Sequence, residues 1–379
     1  MKRTLIGTAA LLLGTAPVFA GGIERSTQSI GILFEEGNYV EFGAQITKPD
    51  VDGKDLAIYG GRETGNVADD FNVVTFGYKH QFTDQISAAL IVEHPYGADI
   101  AYPDLDVTSP IDGSYMLGGT KANVESAHIS AILRYKFNDS WGIHGGLRAT
   151  KASGDVRLQG AAYGAASGYR AKLADDTAVG WLAGFSWERP DIAARIALTY
   201  YSDIDHDFDT KEFIGATQVA EGSTEVSTPS AIALDFQTGV ATDTLVFGQI
   251  RHVKWSEFTV TPDFFGTAVA ADGLVSLDDS TTYTLGVGRK FTDNWSGSVA
   301  FTFEPEGDDD LVSPLAPTNG RKAITVAGIY TMDKWKFTGG INYTKVGDAK
   351  AETGTPDAAR ANMTDNDAVS LGLRIGYRF

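Results

Sequence analysis

The sequence predicts an all-β protein, a fourteen-stranded antiparallel transmembrane β-barrel with an N-terminal segment folded as a hatch into its lumen. Three observations carry this reading. Apolar and polar residues alternate with period two along fourteen segments. The connections between those segments are alternately long and short. The last segment ends in an aromatic residue, Phe379, on its apolar face.

The elements follow in chain order. Residues 1–20, MKRTLIGTAALLLGTAPVFA, combine Lys2 and Arg3, an apolar run from Leu5 to Leu13, and small residues around Ala20. That is the pattern of a cleaved secretory signal peptide, with a run too short to span a bilayer. No later stretch approaches the ~20 consecutive apolar residues of a membrane helix. An exported chain of this kind is therefore soluble or a barrel. It has no cysteine, so disulfides and thiolate metal sites are excluded. Its net charge is −18, or −20 without Lys2 and Arg3, which argues against a nucleic-acid partner.

Residues 21–37, GGIERSTQSIGILFEEG, precede the first strand and hold the apolar group Ile30, Ile32, Leu33 and Phe34. A free tail has no need of such a group, so the segment is expected to be a plug. Strands are expected near 38–47, 72–82, 85–96, 123–137, 141–152, 176–188, 191–202, 226–238, 244–257, 281–291, 295–304, 321–332, 335–346 and 367–379. In the last of these, Val369, Leu371, Leu373, Ile375, Tyr377 and Phe379 alternate with Ser370, Gly372, Arg374, Gly376 and Arg378.

The short turns repeat one pattern, in YKHQFTDQ, RYKFNDSW, GRKFTDNW and IYTMDKW. Each follows an apolar residue with an Asp-containing turn, a hairpin signal. The long connections, among them 97–122, 153–175 and 203–225, gather on the opposite rim. A soluble sandwich would not require that segregation.

One strand departs from the pattern. ISAALIVEHPYGADI alternates cleanly up to Val92 and Glu93, then meets His94-Pro95-Tyr96-Gly97. Proline has no N–H for a strand ladder, and glycine in a strand marks a bulge or a close approach.

With these residues in view the chain resembles the FadL/TodX family of outer-membrane transport proteins, over its whole mature length. Three stretches carry the resemblance: IVEHPYGADI; STPSAIALDFQTGVATDTLVFGQIRHVKWSEF, from Thr-Pro to Trp-Ser-x-Phe; and YTLGVGRKFTDNWSGSVAFTFEPE. The terminal GYRF also resembles the signal by which outer-membrane proteins reach the barrel-assembly machinery, through Phe379. FEEGNYVEFG stands where the family usually carries Asn-Pro-Ala-Gly, so hatch contacts are not carried over.

The resemblance implies passive uptake of a hydrophobic small molecule, a long-chain fatty acid or similar apolar compound. It also implies that the third strand kinks inward and opens the wall, with Glu93, His94, Pro95, Tyr96 and Gly97 along the path. If the cargo is a fatty acid, the inward Arg134, Arg148 and Arg195 are the expected carboxylate contacts. A general porin is the alternative, and a barrel-anchored adhesin or receptor a further one. No catalytic residue, metal site or cofactor is expected. The six histidines form no close-spaced ligand pair, and no Gly-x-Ser-x-Gly elbow occurs. The acidic runs YSDIDHDFD and EPEGDDD are expected in long loops, as solvated charge or as cation bridges to lipopolysaccharide. The expected assembly is a monomer in the bacterial outer membrane.

Overall fold

The computed structural model describes residues 23–379 apart from 276, 308, 309 and 355. The expected signal peptide, residues 21 and 22 of the expected hatch, and Asp308 and Asp309 of the second acidic run lie outside the described residues.

Seventeen hydrogen-bonded segments form one sheet, and because three strands are each broken in two they make up fourteen barrel strands. These are β1 (Tyr39–Asp50), β2 (Phe71–Gln81), β3 in two pieces (β3a Ile86–Glu93, β3b Gly97–Ala101), β4 (Lys121–Lys136), β5 (Trp141–Leu158) and β6 (Tyr169–Arg189). There follow β7 (β7a Ala194–Tyr201, β7b Ile204–Ile214), β8 (β8a Thr217–Thr228, β8b Ala231–Ala241), β9 (Thr244–Val253) and β10 (Ser280–Lys290). The last four are β11 (Trp295–Glu304), β12 (Arg321–Met332), β13 (Trp335–Val346) and β14 (Asp367–Arg378). Antiparallel pairing of β14 with β1, from Tyr39↔Arg378 to Asp50↔Asp367, closes the barrel. Closure pairs the first strand with the last, as a lipid environment requires of strands. Among the described residues no helix is long and apolar enough to cross a membrane.

The alternation seen in the sequence sorts side chains by face. Leu133, Leu147, Val299, Phe301 and Leu373 point outward and are about half exposed or more, whereas His128, Ser130, Arg148 and Thr150 point inward and are buried. Aromatic rings gather at the short-turn rim. Trp295 packs on Tyr330 at 4.8 Å, Trp335 on Tyr377 at 4.6 Å, and Phe379 stacks on Tyr78 at 6.2 Å. This is the interfacial girdle of a membrane barrel.

Several boundaries differ from the sequence reading, each for a physical reason. Residues 153–175 and 203–225 are not long loops: β5 and β6 run on to Leu158 and back from Tyr169, and β7b and β8a form a hairpin. Along that hairpin Ile204, His206 and Phe208 are buried while Asp203, Asp205, Asp207 and Asp209 are exposed. The pattern has turned over, with the polar face outside, because these residues rise beyond the lipid. The first acidic run therefore lies mostly on a strand. β7 begins at Ala194 because Pro190–Ile192 make a 3-10 turn, and β9 ends at Val253 before another at Trp255–Glu257. The third strand does not end at residue 96 but resumes at Gly97.

The long connections also pair with one another. Gly53–Asp55, Ala358–Met363, Ala349–Thr353 and Leu311–Val312 form a four-stranded sheet outside the barrel wall. Asp55 anchors it, accepting hydrogen bonds from Ser114 Oγ (2.5 Å), Tyr115 N–H (2.7 Å) and Met116 N–H (3.3 Å). Burial pushes the Asp55 carboxyl above its usual range, and these three donors oppose that shift.

Candidate functional site

The break in β3 is where the wall pairing fails. β3a pairs with β2 up to Phe76↔Val92, and among the described residues β3b forms no ladder with β2. Residues 71–75 of β2 thus keep only β1 beside them. On the other side, pairing with β4 jumps from Glu93↔His128 to Gly97↔Glu125, a one-residue shift across 94–96. Pro95 allows this, since it has no ladder donor to lose.

The freed backbone groups find partners inside the barrel. Arg25 N–H donates to Pro95 O at 2.6 Å, and Gly97 N–H donates to Ile23 O at 2.8 Å. Tyr96 N–H donates to Ser126 Oγ at 2.9 Å, and that hydroxyl donates back to Tyr96 O at 2.6 Å. On the outer side His94 Nδ1 lies 3.1 Å from Val74 O. The N-terminal residues therefore act as a short replacement strand at the break.

Side chains reinforce this seat. Arg25 bridges to Asp99 at 2.7 Å and lies 4.5 Å from the Phe71 ring, behind the unpaired part of β2. A Cβ at Gly97 would stand 2.5 Å from that guanidinium, so glycine keeps the space Arg25 occupies. Ser26 Oγ donates to buried Glu93 at 2.6 Å. Glu24 pairs with buried Arg251 at 2.5 Å. Gln28 Nε2 donates to the Tyr96 hydroxyl at 3.1 Å, and Tyr201 Oη donates to Gln28 O at 2.9 Å.

Further along, Gly31–Phe34 make a 3-10 turn, and Ile30, Ile32, Leu33 and Phe34 are buried. Ile32 reaches so close to Gly77 that a Cβ there would lie 2.5 Å from its Cδ1. The Phe34 ring sits between two guanidiniums, Arg134 at 4.5 Å and Arg195 at 4.2 Å. Arg134 also pairs with Glu188. Arg148 donates to Gln28 Oε1 and to Ser202 O at 3.1 Å. All three arginines named from the sequence thus face the N-terminal segment. Arg195 alone of the three leaves two guanidinium nitrogens, Nε and Nη1, without a partner among the described residues.

Beside the break lies an apolar pocket of about 80 Å³. Ile23 and Tyr96 form one wall, and Leu173, Phe208, Val226, Trp255 and Phe258 are among the others. Tyr96 meets Trp255 edge-on at 5.9 Å. The pocket wall is thus built partly from the residues that seat the N-terminal segment on β3. Among the described residues no cluster of His, Cys, Asp and Glu is arranged to hold a metal ion.

Sequence reading singled out the break and the apolar group 30–34, but not Ile23, Glu24 or Arg25. Their partners across the barrel, Pro95, Gly97, Asp99 and Arg251, lie 70 or more residues away, and no local spacing signals them. Trp255 and Phe258 did stand out, as the end of the Trp-Ser-x-Phe stretch.

A family model described as "Outer membrane protein transport protein (OMPP1/FadL/TodX)" matches residues 31–379. No curated protein matches the chain by sequence. Among solved structures, a Pseudomonas aeruginosa FadL homologue is similar with TM-score 0.73 and 13% identity, over 98% of this chain and 96% of that one. The P. putida toluene transporter TodX gives TM-score 0.62 at 13% identity, over 91% and 90%. The Ralstonia pickettii toluene transporter TbuX gives 0.61 at 11%, over 92% and 90%. At these identities the likeness is one of fold.

Proposed function

The chain belongs to the outer membrane transport protein family (OMPP1/FadL/TodX), and from that premise we propose that it admits apolar small molecules through the break in its third strand. The family is one of transport channels, which places the barrel in the bacterial outer membrane. The observation that carries the proposal is the seat of residues 23–25 on residues 95–97. One segment occupies the lumen and pairs with the wall where the wall is broken, so plug and side opening are one device.

The physical logic favours a sideways route. An apolar molecule that hides ~200 Å² from water gains about 5 kcal/mol, at ~25 cal/mol per Å². It keeps that gain by passing from pocket to lipid without re-entering water. A polar lumen would forfeit it.

The pocket's size bears on the cargo. At about 80 Å³ it is smaller than the ~150 Å³ cavity that holds benzene in a protein core. A ligand therefore has to displace part of the wall, and Ile23 is the wall residue on a short, unbraided segment. Binding and unseating of residues 23–25 are coupled in this reading. A monoaromatic or similarly compact compound needs the smallest displacement. For a fatty acid, Arg195 is the carboxylate partner, since its two unpartnered nitrogens become reachable once Phe34 moves.

The test is uptake by proteoliposomes of three labelled solutes: toluene, oleate and a small sugar. We expect one or both apolar solutes to enter well above protein-free vesicles, and the sugar not to. Sugar entry without apolar uptake would make the barrel a porin and end the proposal.

A further inference from the structure

One wall residue of the apolar pocket carries a polar atom that no described residue engages. β7b turns Ile204, His206 and Phe208 inward, and the His206 imidazole lines the pocket beside Phe208 and Val226. The side chain is 1% exposed, and its ring stacks on that of Phe208 at 5.3 Å. His206 Nδ1 lies 2.8 Å from Asp176 Oδ2 on the neighbouring strand β6. Nε2 is buried and has no hydrogen-bond partner among the described residues.

The bond to Asp176 fixes how the ring is presented. A carboxylate only accepts, so in the neutral ring Nδ1 carries the proton and Nε2 keeps its lone pair. Nδ1 is attached to Cγ and is the nitrogen nearer the strand. Nε2 sits at the far end of the ring, and on an inward side chain that end faces the barrel interior. A ring-sized ligand has to widen the pocket, and His206 is part of the wall it then meets.

The hydroxyls of the lining are already engaged within the protein. Ser126 Oγ exchanges hydrogen bonds with the Tyr96 main chain, and the Tyr96 hydroxyl accepts from Gln28. Thr228 Oγ1 donates to Ile204 O at 3.4 Å, and Ser153 hydrogen-bonds to Asp175. A pure hydrocarbon in the pocket would leave Nε2 of His206 unmatched, and an unmatched buried polar atom is costly. A hydroxyl group matches it in either protonation state. It donates to the lone pair of the neutral ring, or accepts from Nε2–H of the charged one. A carboxylate matches only the charged ring.

We propose that His206 Nε2 receives a hydroxyl group, so that the pocket selects compact apolar molecules bearing one hydroxyl, of which phenols are the simplest aromatic class. Asp176 is a positioning residue, acting through the imidazole. The proposal deepens the function proposed above and rests on it, since it takes the same pocket as the place of the cargo.

Toluene and p-cresol differ by one hydroxyl, so they form the test pair. Binding of each to the purified protein in detergent is measured by equilibrium dialysis against protein-free micelles. We expect His206→Leu to weaken p-cresol binding tenfold or more while toluene binding holds or tightens. Asp176→Ala frees the ring and is expected to weaken p-cresol severalfold. Asp176→Asn keeps an acceptor for Nδ1–H and is expected to stay near the parent. Heat-modifiable gel migration reports which variants are folded, and the two Asp176 variants carry the test alone if His206→Leu is not. Unchanged p-cresol binding in folded His206→Leu, equal loss of both ligands, or no p-cresol binding by the parent would overturn the hydroxyl contact. So would equal p-cresol affinity in Asp176→Ala and Asp176→Asn. Uptake is not read here, so this failure and failure of the transport reading are separate results.

Discussion

Glu24→Ala removes the carboxylate that faces Arg251 in the lumen. The Arg251 side chain is 2% exposed and that of Glu24 11%, and Nη2 lies 2.5 Å from Oε1. Deleting one partner of a buried pair costs about 3–5 kcal/mol, because the other charge is left without compensation. The pair forms only while residues 23–28 are seated, so the cost of losing it falls on the seated state. The segment keeps the Arg25–Asp99 bridge and two main-chain bonds to residues 95 and 97, the latter worth about 1 kcal/mol each. At the lower figure of ~3 kcal/mol, and 1.4 kcal/mol per factor of ten, the ratio of unseated to seated segment rises about 100-fold. Single-channel recording in planar bilayers reads this as more frequent and longer openings. A double variant, Glu24→Met with Arg251→Met, buries no charge and is expected to behave much more like the parent. Equal open fractions in Glu24→Ala and the parent would refute the idea that this pair holds the plug.

Other substitutions have distinct signatures. Gly97→Val puts side-chain atoms where the Arg25 guanidinium lies, so it is expected to break the Arg25–Asp99 bridge and raise conductance without unfolding the barrel. Phe34→Ala removes two cation–π contacts, each worth about 0.5–2 kcal/mol, and should hasten cleavage of the N-terminal segment by a protease added from the short-turn side. Arg195→Ala is expected to lower uptake of oleate several-fold while leaving toluene uptake unchanged. Equal loss of both would show that Arg195 supports the fold rather than a carboxylate.

Much of the barrel was legible because lipid imposes a simple rule on strands that cross it. Leu371, Leu373 and Ile375 face out, Ser370 and Arg374 face in, and the period is two. The rule failed where β7b and β8a leave the lipid. There Phe208 and Val226 face in and Asp207 and Glu225 face out, so an acidic strand read as a loop. The break at Pro95 was visible because proline carries its consequence locally. The seat of Ile23, Glu24 and Arg25 was not, since it depends on residues 95–99 and 251, brought near only by closure of the barrel. The fate of Arg134, Arg148 and Arg195 was likewise hidden. Inward orientation was readable from alternation, but their engagement with Phe34 and Gln28 was not.

The most direct test of the side route is to mend the break. His94→Thr and Pro95→Val together restore the missing ladder donor and strand-forming residues while keeping Tyr96 and Gly97, and with Gly97 the seat of Arg25. The barrel should fold, shown by heat-modifiable migration, and insert in proteoliposomes as the parent does. Initial uptake of labelled toluene and oleate is then measured against the parent at equal protein. We expect uptake to fall to the level of protein-free vesicles, because the wall beside the pocket is closed. Uptake at the parent's rate from a folded, mended barrel would contradict the account and leave the break as a kink without a transport role.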